Sequence, residues 1–123
     1  MKINKDIEVA TKAINVKGVI KQLAKCSEEL SELSKVCSRA IVDDHVDTKK
    51  MAEEIADVKF TILQLMLIMG GQEENNSFQK LVDLNYEYKV ERTNELLDID
   101  IKAMQAKARM EQSAKEEANV SNC

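Results

Sequence analysis

Apolar residues recur along this chain in steps of three and four. Between residues 19 and 42 they fall at Ile20, Leu23, Cys26, Leu30, Leu33, Cys37 and Ile41, which predicts one long amphipathic helix. The polar run DDHVD breaks the pattern. Asp47 or Thr48 can then accept from the free N–H groups that open the next helix. That second helix is expected over 49–69, with Met51, Ile55, Val58, Ile62, Leu65 and Met69 on one face. From Phe60 onward, in FTILQLMLIM, it is apolar nearly all round and needs more than one neighbour to cover it. Gly70 and Gly71 are expected to stop it, because glycine tolerates the left-handed conformation at a helix end.

After the loop QEENNS a third long helix is predicted over 77–97, with Phe78, Leu81, Val82, Tyr86 and Val90 as core candidates. A short helix over residues 4–14 leads the chain and ends near Asn15 and Gly18. The final stretch holds strong helix formers but only a thin apolar stripe of Ile101, Met104 and Ala108. It is either an exposed helix packed on a partner or a frayed tail. The expected fold is all-α: a helical bundle of three long helices plus shorter terminal helices, its core completed by self-association. The helical domain is placed at 1–97 and the tail at 98–123.

Composition sharpens this picture. With 123 residues the chain has room for one modest core. It has no proline, three glycines and 3% aromatic residues, so little is available to build the turns of a sheet. A net charge of −4, with both signs mixed along the chain, argues against a nucleic-acid surface, which needs clustered Lys and Arg. The longest apolar run covers ten residues and contains Thr61 and Gln64, too short for a bilayer. The opening MKINKDIEVA lacks the apolar centre of a secretory signal. Three cysteines, Cys26, Cys37 and Cys123, form no disulfide framework and fit a reducing compartment. The chain reads as cytoplasmic.

The chemistry worth weighing is carboxylate chemistry. Residues three apart on a helix lie about 60° apart in projection and one turn apart along the axis. Glu29 and Glu32 therefore share a side of the first long helix, and Glu54 and Asp57 repeat that spacing on the second. Two antiparallel helices could bring these pairs to one point. Bare carboxylates there would repel by about 4 kcal/mol per close pair at a protein-like dielectric. A divalent ion between them reverses that sign, and oxygen ligands without His or Cys select Mg²⁺ or Mn²⁺. The plainer reading is a solvated acidic face, since 22 acidic residues make such pairs common. Both pairs nevertheless border the apolar stripe. Asn85, Lys89 and Arg92, spaced by four and three, line up as a polar and cationic stripe on the third helix. They suit a polyphosphate held between metal and cations, or else simply pair with Glu91 and Glu95.

In order along the chain, Glu28-Glu29-x-x-Glu32, a spacer of 21 residues and Glu54-x-x-Asp57 resemble the EExxE…ExxD signature of the MazG-like nucleotide pyrophosphohydrolases, the all-α NTP pyrophosphatase superfamily. The segment Lys89-x-x-Arg92 resembles that family's phosphate-binding segment. Gln22 resembles a glutamine often found ahead of its first acidic motif. The likeness covers residues 19–97. It implies that Glu29, Glu32, Glu54 and Asp57 hold Mg²⁺, with Mn²⁺ as a substitute. It also implies hydrolysis of a (d)NTP to (d)NMP and pyrophosphate, in clearing the nucleotide pool. Lys89 and Arg92 would neutralise the pyrophosphate, with Asn85 beside them, and Gln22 would meet the ribose or base. Glu28, the catalytic candidate, points about 100° from Glu29. It stands open as a base for the water, a support for the ligands or a surface residue. The likeness further implies a homodimer or homotetramer, with no nucleic acid and no membrane as partner.

Other features have plainer readings. DDHVD, with the sole imidazole His45, is a turn and a cap. Cys26 and Cys37 are apolar fillers, and Met51, Met66 and Met69 are core or interface filler. A di-iron bundle expects Glu-x-x-His pairs, which one histidine cannot supply. The competing function is a non-enzymatic helical interaction module whose acids only solvate it.

Overall fold

The computed structural model describes residues 4–121 and is all-α. Its helices are α1, Lys5–Lys17; α2, Val19–Asp43; α3, Thr48–Gly70; and α4, Ser77–Ser121. Cys123 lies outside the described residues.

Three of these helices pack on one another. The apolar stripe of α2 turns back onto α3 through the short connection 44–47, and α1 lies against both. Local chemistry sets the boundaries. Asp44 closes α2 in the left-handed region (φ 50°), which aspartate tolerates better than most residues. Asp47 then caps α3 by accepting from the Lys50 N–H at 3.0 Å, so the capping role falls to Asp47 and not to Thr48. The α1–α2 break sits at Gly18, whose φ of 86° L side chains rarely adopt.

The glycine pair after α3 divides its work. Gly71 takes the positive φ (77°), whereas Gly70 is the last helical residue. A Cβ on Gly70 would collide with the side chain of Asn76. That side chain is fixed by two bonds: its Oδ1 accepts from the Gln79 N–H (2.9 Å), and its Nδ2 donates to the Glu73 carbonyl (2.8 Å). Asn76 thereby caps α4, and glycine at position 70 is what lets it come so close. A side-chain bond from Gln72 Nε2 to Thr11 Oγ1 (3.0 Å) ties this loop to α1.

The described chain divides into two compact units, the first ending at Lys80 and the second beginning at Leu81. In the first, the buried apolar residues are Ala10, Cys26 and Val58, and the buried polar ones are Gln22, Glu54, Thr61 and Gln64. Polar side chains outnumber apolar ones in its most enclosed part, which is the reverse of an ordinary core. Cys26 fills space as expected, while Cys37 is exposed.

The helix predicted to end near Leu97 runs on to Ser121, because neither glycine nor proline interrupts it. Leu81, Val82, Tyr86 and Val90, expected in the core, are exposed, and Phe78 is half-buried. No helix among the described residues is long and apolar enough to cross a membrane.

Candidate functional site

The antiparallel return of α3 on α2 decides where the acids meet. Glu29 from α2 and Glu54 and Asp57 from α3 each bring a carboxylate oxygen to within 4.8 Å of the others. Glu54 and Asp57 owe this to their i, i+3 spacing. Glu29 joins them because it lies on the edge of α2 that faces α3.

Burial grades this cluster. The Glu54 side chain is 6% exposed and that of Glu29 12%, whereas Asp57 opens to solvent. Each of the two enclosed acids has a lysine one turn before it. Lys25 Nζ lies 2.9 Å from Glu29 Oε1, and Lys50 Nζ lies 2.9 Å from Glu54 Oε1. The hydrogen bond from Lys25 to Glu29 raises its pKa above the ordinary 10.5, with Glu28 adding its charge. The bond to Glu54 does the same for Lys50. Three carboxylates thus face two ammonium groups, so the acids outnumber the cations paired with them.

Glu54 Oε2 is the exceptional atom. It is buried without a hydrogen-bond partner. A carboxylate oxygen so placed costs several kcal/mol unless something positive reaches it. A small divalent cation with oxygen ligands fits what is there: three hard donors, one of them orphaned, with neither His nor Cys among them.

Glu32 is not part of this triad. Its Oε1 accepts from Lys35 Nζ at 3.2 Å, although its charge also helps to keep Lys50 protonated. Glu28 is 63% exposed and lies 3.7 Å from Lys25, so it shares that lysine with Glu29. Gln22 is 4% exposed and lines a cavity of about 410 Å³ together with Glu29 and Asp57. Asn85, Lys89 and Arg92 lie in the second unit, and all three are exposed. The Asn85 amide donates to the Leu81 carbonyl of its own helix (2.8 Å). His45 lies in the α2–α3 connection beside a separate cavity of about 660 Å³.

The two lysines are not among the site residues expected from the sequence. Their signal was present as Lys-x-x-x-Glu, in Lys25–Glu29 and Lys50–Glu54, a spacing that sets opposite charges side by side on a helix. Gln64 and Thr61, which interrupt the apolar run in the sequence, are buried as well.

No family model matches the chain, and searches of curated proteins and of solved structures return no match either.

Proposed function

We propose that this protein is a Mg²⁺-dependent nucleoside triphosphate pyrophosphohydrolase, converting a (d)NTP and water to a (d)NMP and pyrophosphate. The observation that supports this reading most is the orphaned, buried Glu54 Oε2 within a cluster completed by Glu29 and Asp57. A solvated acidic face does not bury its acids, and a buried oxygen without a protein partner calls for an ion or a water to satisfy it.

Glu29, Glu54 and Asp57 would hold the ion, with Glu32 joining by exchanging Lys35 for it. When bound, Mg²⁺ lowers the pKa of water and withdraws charge from the phosphates. Lys25 and Lys50 keep the carboxylates apart from one another's charge, so the cluster stays folded around its acids. Glu28, through the lysine it shares with Glu29, orients that lysine and is proposed as a positioning residue. Lys89, Arg92 and Asn85, all in the second unit, are proposed as phosphate-binding residues on the strength of the motif alone. In the reaction an O–P bond forms from water to the α-phosphorus, the water's proton passes to solvent, and the bond from the α-phosphorus to the α–β bridging oxygen breaks, that oxygen leaving with the pyrophosphate. Self-association is proposed to cover Ile55, Ile62 and Met69, which α3 leaves exposed in the single chain.

A panel of NTPs and dNTPs with Mg²⁺, scored for pyrophosphate against orthophosphate, tests the reading. Pyrophosphate as the released product is the expected result. Inertness toward every nucleotide, with no thermal shift on adding Mg²⁺, would favour the interaction module, to which the exposed apolar residues of α4 are suited.

A further inference from the structure

The cavity that shares Glu29 and Asp57 with the acidic cluster contains more than the metal reading uses. It lies wholly within the first unit, between α1, α2 and α3, and its volume of about 410 Å³ is within the range of small-molecule sites.

Its rim is cationic. Lys17 closes α1, Lys21 stands in the first turn of α2, and Lys25 follows one turn later, just before Glu29. Lys25 is committed to Glu29, but Lys17 and Lys21 make no ion pair among the described residues. The start of α2 has no side-chain cap and no acid in its first turn, so its free N–H groups add to the positive field.

Its floor is polar and buried. Gln22 and Gln64 are each 4% exposed and Thr61 is 3% exposed. Thr61 spends its proton on the Asp57 carbonyl at 2.9 Å, which leaves its lone pairs available. No hydrogen bond holds either glutamine amide among the described residues. Neither amide is sealed from solvent, since Glu54 Oε2 alone among the described residues is fully enclosed without a partner, so both carboxamides line the cavity with bonds still to make and can meet a ligand's hydrogen-bonding edge. The half-buried Phe60 adds an aromatic wall.

Resting on the function proposed above, we propose that this cavity is the nucleotide's seat, with Lys17 and Lys21 taking phosphate oxygens and Gln22 and Gln64 reading the polar edge of the nucleoside. The acidic cluster, Lys17 and Lys21 then belong to one folded unit. Specificity for base and sugar lies in two carboxamides, each of which offers both a donor pair and an acceptor.

The test is binding, which needs no turnover. Calorimetry of the full chain with Mg²⁺ would use two probes: inorganic tripolyphosphate and an α,β-imido nucleoside triphosphate. The double variant Lys17→Gln/Lys21→Gln should weaken both probes by at least about tenfold, the effect of losing charged hydrogen bonds. Gln64→Leu should weaken the nucleotide by about tenfold and leave tripolyphosphate unchanged. Lys12→Gln, which removes one positive charge from α1 away from the cavity, should alter neither. Wild-type-like binding of tripolyphosphate by the lysine variant would overturn the proposal, and so would a wild-type chain that binds neither probe. Equal weakening of both probes by Gln64→Leu would also overturn it. If the expected pattern appears in a chain that releases no pyrophosphate, the cavity assignment stands and only the reaction fails. If pyrophosphate is released while the pattern is absent, the assignment fails alone.

Discussion

The α2–α3 pair and α4 are built from similar residues and end in opposite conditions. Both regions are rich in helix formers, and both carry acids at i, i+3 and i, i+4 spacing. Packed antiparallel, α2 and α3 enclose Glu54, Gln22 and Gln64 and bring three carboxylates together. Over its 45 residues α4 buries none. Charge pattern alone therefore does not make a site. The acids of α3 acquire distinct chemistry only because a second helix excludes water from one side of them. Those of α4 remain ordinary solvated groups.

The sharpest way to break this contrast is Glu54→Gln. It removes the charge from the enclosed acid while keeping its shape. Pyrophosphate release should fall by more than about 100-fold, beyond the range seen for groups that merely support metal ligands. The thermal shift on adding Mg²⁺ should disappear as well. Glu91→Gln on α4 should leave both readings alone. Activity that survives Glu54→Gln would remove the acidic cluster from the chemistry.

A charge on the apolar face of α3 probes how that helix is covered. Ile62 is 49% exposed in the single chain. Ile62→Glu should weaken self-association by about 30-fold or more, the effect of an interface hot spot. Light scattering across a dilution series reads this directly. A wild-type chain that is monomeric throughout would contradict the proposed self-association.

A third test concerns the scaffold beneath the site. Gly70→Ala places a methyl group where the Asn76 side chain sits, and that side chain is held by two bonds. A loss of about 1–3 kcal/mol is expected, as for overpacking elsewhere. In a unit of this size that lowers the melting temperature by about 4–8 °C per kcal/mol. Nucleotide binding measured below the transition should be unchanged.

The smallest expected effect is alkaline. Lys25 and Lys50 have pKa values raised above 10.5 by their bonds to Glu29 and Glu54. Below pH 10.5 both folded and unfolded chains keep these protons, so the stabilisation is complete. As the pH climbs beyond that value the unfolded chain releases them first, and the contribution declines until the folded groups deprotonate too. Melting curves through this window should fall more steeply for wild type than for Lys50→Gln. Because both lysines are exposed, the difference should be slight.

Much of this molecule could be read from its sequence, and the reasons can be stated residue by residue. The steps of three and four from Ile20 to Ile41, the absence of proline and the Asp47 cap fix helices locally, since each depends on neighbours within one turn. The pairing of Glu54 with Asp57 was visible for the same reason. Other features depend on contacts between residues distant in the chain. Only the packing of α2 on α3 selected Glu29 rather than Glu32 for the cluster and left Glu54 Oε2 without a partner. Packing also turned Gln64, which looks like an interruption in an apolar run, into a buried polar floor beside Gln22. Periodicity tells which side of a helix is apolar. It does not tell which polar residue at the border of that side will lose its water, because that depends on the register of the neighbouring helix.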